Sequence, residues 1–278
     1  MHYPKPVINY IGGKVRLRRQ IVPHFPRDAK RYVEPMVGGG SVFASAYFNL
    51  YWGKPAWISD LDADVIDLYM VVKNDVEWLI GMLTELYEEL GAEGAYKEVV
   101  GWNPPGSLPL HNAVKVYILA RTTFAGKRTG NFISSKAASY VWTDFSNLRL
   151  MSLMLNTADA RMWRMSVLNA LRTCNEDDFV YLDPPYIGKE HFYKEGADFD
   201  HAALADALAK ARFRFILSYG DDPKVAELYP PQRFYRIKLS HRYTVTHQDG
   251  RGDAPASEYL ISNMPFAPQP IQEHLSRL

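Results

Sequence analysis

Tyr32-Val33-Glu34-Pro35-Met36-Val37-Gly38-Gly39-Gly40-Ser41-Val42-Phe43 reads as a short strand that runs through a glycine turn into a helix. A second short strand, Ala56-Trp57-Ile58-Ser59-Asp60, follows and closes on an acid. Far downstream the apolar run Phe179-Val180-Tyr181-Leu182 leads directly into Asp183-Pro184-Pro185-Tyr186. Further strands are predicted over 163–168, 213–219, 233–238 and 257–263, with helices over 13–22, 41–51, 62–71 and 201–212. Strands alternating with helices argue an open, mostly parallel α/β sheet with helices on both faces. Ligands in such sheets bind beyond the carboxyl ends of the strands. Glu34, Asp60 and Asp183 each close a strand, so all three are expected in one crevice.

Asp183-Pro184-Pro185-Tyr186 is built to hold one flat molecule that carries an amino group. The Asp183 carboxylate accepts hydrogen bonds, and a proline offers a carbonyl but no N–H. Tyr186 adds a face on which a heteroaromatic ring can stack. Two acceptors around an exocyclic amine describe a site for adenine or cytosine.

A chain of 278 residues buries a full core, as one large domain or one domain with a sizeable insertion. Its 13% aromatic content argues against disorder. No segment approaches the ~20 apolar residues that span a bilayer, and the N-terminus lacks the layout of a signal peptide. Cys174 is the single cysteine, which excludes an internal disulfide, and no His/acid cluster has ligand spacing, so no metal is expected. The expected compartment is the cytoplasm, in a bacterial or phage-infected cell. Net charge is +1, but its distribution matters more than its sum. Basic residues gather at Lys14 to Arg19, at Arg121, Lys127 and Arg128, and at Arg233 to Arg242, a pattern compatible with gripping phosphates.

Residues 72–160 break the alternation. The amphipathic run 74–90 reaches a Gly/Pro break at 101–106, continues as a helix around 110–122, and meets Thr123-Phe124-Ala125-Gly126-Lys127-Arg128-Thr129-Gly130-Asn131-Phe132. That basic, aromatic stretch reads as a loop or hairpin on a helical insertion.

Taken in order, Asn9-Tyr10-Ile11-Gly12-Gly13-Lys14, Glu34-Pro35 with Gly38-Gly39-Gly40, Asp60 and Asp183-Pro184-Pro185-Tyr186 resemble the DNA adenine methylase (Dam) type of amino-methyltransferase, in the α-group arrangement. The likeness runs from about residue 7 to about residue 263. It implies a Rossmann-like S-adenosylmethionine-dependent methyltransferase sheet, with residues 1–71 and 161–278 as the catalytic, cofactor-binding domain. Residues 72–160 are then the helical target-recognition insertion. The implied activity is methyl transfer from S-adenosylmethionine to N6 of an adenine flipped out of double-stranded DNA at a specific site. Asp183, Pro184, Pro185 and Tyr186 are the implied catalytic group.

The resemblance assigns cofactor contacts to Tyr10, Gly12, Gly13, Lys14, Glu34, Pro35, Gly38, Gly39, Gly40, Asp60 and Asp183. S-adenosylmethionine has no phosphate, so the glycine turn lets backbone pass close to its methionine part. Glu34 is placed to offset positive charge, and Asp60 to accept from both ribose hydroxyls. A P-loop is excluded, because Val15 follows Lys14 and no Gly stands five residues before the Gly-Lys pair. Where relatives carry an Asp-Phe pair for the cofactor's adenine, this chain has Val167-Leu168-Asn169-Ala170, and Asn169 is the expected substitute. Phe124-Ala125-Gly126 resembles the family's aromatic-x-Gly hairpin, but Ala125 stands where Asn is usual. The recognition sequence of relatives therefore does not carry over. Phe124, Arg121, Lys127 and Arg128 are the expected DNA contacts, to guanine edges or to phosphates. Tyr193 stands either in the wall of the base pocket or in the core, and Arg242 to Glu258 reads as a mobile hairpin.

Alternatives stay open: N4 of cytosine, an RNA adenine, or a non-catalytic DNA-binding relative. A restriction endonuclease partner and the oligomeric state are likewise open at this level.

Overall fold

A computed structural model describes residues 3–102, 109–126, 128, 130–134, 140–193, 196, 198–242 and 255–266. Its strands are β1 (Arg31–Pro35), β2 (Ala56–Asp60), β3 (Arg161–Arg164), β4 (Asp178–Leu182), β5 (Arg214–Gly220), β6 (Tyr235–Arg242) and β7 (Pro255–Ser262). They form one seven-stranded sheet in the order β3-β2-β1-β4-β5-β7-β6. The first five are parallel, and β7 inserts antiparallel between β5 and β6. The order reverses between β1 and β4, which opens a crevice beyond their carboxyl ends.

Period-two alternation divides the strands between two cores. Tyr32, Phe179, Tyr181 and Ile216 face one of them. It is built with α1 (Arg18–Ile21), α2 (Ser41–Ala46), α3 (Ala63–Asn74), α4 (Val76–Gly101), α5 (Pro109–Thr122), α6 (Tyr140–Thr143) and α7 (Ser146–Thr157). Val33, Val180, Leu182, Phe215 and Leu217 face the other, under α8 (Val167–Arg172), α9 (His201–Ala209) and α10 (Pro223–Leu228). The helices between β2 and β3 thus share one apolar core with the sheet. The expected boundary at residue 72 falls inside α3.

Several boundaries differ from the sequence reading. Helix over 13–22 shrinks to α1, because Gly12 turns the chain at φ +74° ahead of it. Helix 41–51 is α2 followed by a π-turn over Tyr47–Tyr51. The strand expected over 163–168 runs over Arg161–Arg164 instead, since Ser166 caps α8 and turns the chain into a helix. The run 74–90 extends as α4 to Gly101, through a non-helical Gly91 at φ +66°. Between β6 and β7, residues 243–254 of the expected hairpin lie outside the described residues. Among the described residues no helix is long and apolar enough to cross a membrane.

Candidate active site

β4 stops at Leu182 because the following two prolines cannot donate to a ladder, and Asp183 is delivered at the strand's end. Lys14 meets it there: Nζ donates to Oδ1 of Asp183 at 2.7 Å and to the carbonyl of Gly12 at 2.9 Å. Burial pushes the Asp183 carboxyl up to about 6 against the pull of Lys14. Burial alone would lower Lys14, but Asp183 and Glu258 carry it above its ordinary value, so the pair is ionised at neutral pH.

Tyr186 is held on three sides. Its hydroxyl donates to Oε2 of Glu258 at 2.6 Å, and its ring stacks on Tyr219 with centroids 5.8 Å apart. Gly220 leaves the ring its space, as a Cβ there would stand 2.9 Å from Cδ2 of Tyr186. Lys14 Nζ lies 4.9 Å from the ring centroid.

At the end of β1, Glu34 is buried and accepts from the Tyr32 hydroxyl at 2.5 Å. Desolvation raises it to about 8, with nearby Asp183 adding to the rise. At the end of β2, Asp60 accepts from the Gly38 N–H (2.9 Å) and the Asp62 N–H (3.0 Å), and burial raises it to about 6. These bonds fasten the glycine turn to β2. Gly38 and Gly40 adopt φ +48° and +68°, and a Cβ on Gly40 would fall 2.2 Å from the Tyr69 hydroxyl oxygen. Met36 also has positive φ (73°), a strained conformation for a side chain of its size.

A cleft of about 410 Å3 lies beside these acids, within the size range of small-molecule sites. Its walls include Tyr10, Met36, Asp60, Leu168, Asp183 and Tyr193. A narrower cleft, about 40 Å3, shares Tyr10, Met36, Asp183 and Tyr193 and reaches Lys14, Glu34 and Gly38–Gly40. Tyr193 therefore faces the cleft. A larger open groove of about 850 Å3 lies between α8 and α9 and holds none of the strand-end acids.

The crevice brings together Tyr10, Gly12, Gly13, Lys14, Glu34, the three glycines, Asp60 and Asp183. Pro185 lines the main cleft, while Pro184 and Pro35 are buried behind it. Asn169 is not among them. It is exposed on α8, and its Oδ1 accepts from Arg172 at 3.1 Å. The early end of β3 moves the cleft wall back to Met165–Leu168.

Arg121 has its guanidinium occupied by the carbonyls of Val7 and Pro6, at 2.6–2.9 Å, so it fastens the N-terminal segment rather than reaching outward. Arg128 pairs with Asp62 and, at 2.8 Å, with Asp64, clasping its loop to the wall beside Asp60. Phe124 remains 54% exposed. Lys127 lies outside the described residues. Glu258 belongs to the site without belonging to any of the sequence motifs, and Met36 lines it from inside the strand and glycine-turn stretch without being among the expected site residues. The signal for Glu258 is an acid two residues before the run Leu260, Ile261 and Ser262, a strand end that is fully buried.

Known methyltransferases are similar to this chain over most of its length. The chain is 23% identical over 270 residues to the type II methyltransferase M.CviBI of Paramecium bursaria Chlorella virus NC1A, covering 92% of this chain and 98% of that one. It is 25% identical to M1.LlaDCHI of Lactococcus lactis subsp. cremoris, over 93% and 95% of the two chains. It is 24% identical to the DNA adenine methylase of Haemophilus influenzae, over 84% and 86%. Likeness to a solved precorrin-6y C5,15-methyltransferase of Geobacter metallireducens is slight (TM-score 0.40, 9% identity, 93% and 96% covered), and the fold rests on the strand order itself. Residues 10–245 match the D12 class of N6 adenine-specific DNA methyltransferases, and this chain belongs to that family.

Proposed function

We propose that Asp183, Pro184 and Tyr186 hold the adenine that this DNA N6-adenine methyltransferase modifies, and that the cleft beside Asp60 holds S-adenosylmethionine. The observation that carries this is the meeting of Glu34, Asp60 and Asp183 at one crevice at the sheet's switch point. The residues present suit the cofactor: a glycine turn with no side chain beside the cleft, buried acids, and the apolar side chains of Met165, Val167 and Leu168. When bound, S-adenosylmethionine supplies a methyl group on a positively charged sulfur.

Tyr10 and the glycine turn fit its methionine part, Glu34 lies where positive charge would offset its burial, and Asp60 and Leu61 border its ribose. The adenine N6 lone pair is delocalised into its ring, so the amine is a weak nucleophile. Oδ1 of Asp183 is engaged by Lys14, which leaves Oδ2, with the Pro184 carbonyl, to accept the two amine hydrogens. That grip favours a tetrahedral nitrogen whose lone pair is aimed at the methyl group. The amine would become cationic as the N–C bond forms and the methyl–sulfur bond pair stays with the sulfur, and its proton would pass to the Asp183 carboxylate that already accepts that N–H, so no base is needed beforehand. Orientation of two reactants supplies roughly 7–11 kcal/mol of such a barrier. A paired base does not reach this crevice, so it leaves the duplex at a cost of about a few kcal/mol, offset by stacking on Tyr186.

We assign residues 72–160 to target recognition, with exposed Phe124 as a DNA contact. The relatives named as type II methyltransferases support a companion restriction endonuclease. Incubation with labelled cofactor and unmethylated DNA, followed by nucleoside mass spectrometry, tests the reading. N6-methyladenine is expected. N4-methylcytosine, or no transfer, overturns it. Digestion of methylated plasmid with a panel of endonucleases then shows which site is protected.

A further inference from the structure

We propose that Glu258 is a positioning residue for the base-accepting site, holding the Tyr186 hydroxyl and, through Lys14, the Asp183 carboxylate as one unit. This rests on the methyltransferase reading above.

Glu258 lies in the middle of β7, opposite Gly220 of β5 and Leu239 of β6, and is 4% exposed. A carboxylate in the interior of a sheet costs several kcal/mol unless it is paired and hydrogen-bonded. Two of its partners belong to the site. Oε2 accepts from Tyr186 at 2.6 Å and stands 3.9 Å from Lys14 Nζ. The same ammonium reaches Oδ1 of Asp183 at 2.7 Å and the Gly12 carbonyl at 2.9 Å.

The geometry explains why the tetrapeptide ends in tyrosine. Stacking of a base needs only a ring, which phenylalanine would supply. The hydroxyl bonds into the sheet, to a strand far from Tyr186 in sequence. With Tyr219 behind the ring and Gly220 leaving room at its edge, the hydroxyl bond fixes the remaining freedom of the side chain. A platform ordered in advance does not have to be ordered when the base arrives. Lys14, between two carboxylates, also keeps Oδ1 of Asp183 engaged.

The test uses the full chain with duplex DNA carrying 2-aminopurine at the target adenine, a probe whose fluorescence is quenched by stacking. In Glu258→Ala, kcat is expected to fall by about tenfold or more, the loss of one hydrogen bond to a charged group. KM for S-adenosylmethionine should stay within about twofold, since Glu258 itself lines neither cleft and Lys14 keeps its contact with Asp183. The probe should be brighter than in the wild-type complex. Glu258→Gln keeps an acceptor for the Tyr186 hydroxyl and should restore the quenched signal. Wild-type kcat and quenching in Glu258→Ala overturn the proposal, as does a loss that follows cofactor affinity and leaves the probe unchanged. Should Glu258→Ala not fold, Tyr186→Phe must itself show lowered kcat and a brighter probe, and a Tyr186→Phe protein with wild-type values overturns the proposal. A wild-type chain that makes no N6-methyladenine refutes the methyltransferase reading itself.

Discussion

Lys14 Nζ rests 2.7 Å from Oδ1 of Asp183, so the Gly-Gly-Lys turn near the N-terminus closes directly on the end of β4. This contact makes the acid a one-sided acceptor. Its Oδ1 is engaged by Lys14, and the residue lines the cleft.

Removing that acceptor should end the chemistry without emptying the cofactor site. Asp183→Ala is expected to lose turnover while binding S-adenosylhomocysteine with near wild-type affinity, because Glu258 remains 3.9 Å from Lys14 to offset its charge. Calorimetry beside a single-turnover assay checks both halves. Unchanged turnover would sink the assignment.

The reactive form of Asp183 is the carboxylate, and burial raises its pKa to about 6. Single-turnover methylation should therefore be half-maximal near pH 6, level off above about pH 7 and fall about tenfold per pH unit well below 6. Lys14 stays protonated across this window, because its own value is raised. A profile that stays flat to pH 5 would place the acceptor elsewhere.

Glu34 carries a consequence for stability. Its folded-state value of about 8 lies above the ordinary 4.5, so the fold takes up a proton between those limits. The associated stability is complete below about pH 4.5 and is lost as pH rises through about 8, with a size on the order of a few kcal/mol. Glu34→Gln should be more stable than wild type at pH 8 and nearly equal to it at pH 4.5. Thermal melts of the cofactor-free protein at the two pH values decide this, and equal differences at both would contradict it.

Two glycines with left-handed φ separate strain from collision. At Gly53 (φ +78°) an added methyl would meet nothing within 4 Å, whereas at Gly40 (φ +68°) it would meet the Tyr69 hydroxyl. Gly53→Ala should cost about 1 kcal/mol, the backbone strain alone. Gly40→Ala should cost more than that and also weaken cofactor binding, because Tyr69 donates to the Gly38 carbonyl at 3.2 Å. Equal melting temperatures for the two variants would refute the steric argument.

Arg121→Ala should lower stability by about 1–3 kcal/mol, since its guanidinium bonds the Val7 and Pro6 carbonyls. A phosphate contact would instead reduce the salt dependence of DNA binding by about one unit of slope. An unchanged slope with a lower melting temperature is expected, and a reduced slope at unchanged stability would return Arg121 to the DNA.

How much of the site is legible in the sequence depends on how local its chemistry is. The acids at Glu34, Asp60 and Asp183 are legible because each closes a short apolar strand, and proline and glycine mark the turns that follow. Asn169 leaves the site through a local competition that periodicity does not resolve. Ser166 accepts from the Asn169 N–H and starts α8, which cuts β3 short and turns Asn169 outward. Positive charge at Arg121 and Arg128 is visible in the sequence, but its destination is not, since a guanidinium serves a carbonyl, a carboxylate or a phosphate equally well.

Strand alternation, the glycine turn and Asp183-Pro184-Pro185-Tyr186 were determined by the sequence alone, because backbone φ limits and side-chain period act over a few residues. Tertiary structure decided which distant groups complete them: Lys14 against Asp183, Glu258 against Tyr186, Arg128 against Asp62. The physical reason is that a buried charge takes as its partner whatever the fold carries within hydrogen-bond reach, and that reach is measured across the sheet, not along the chain.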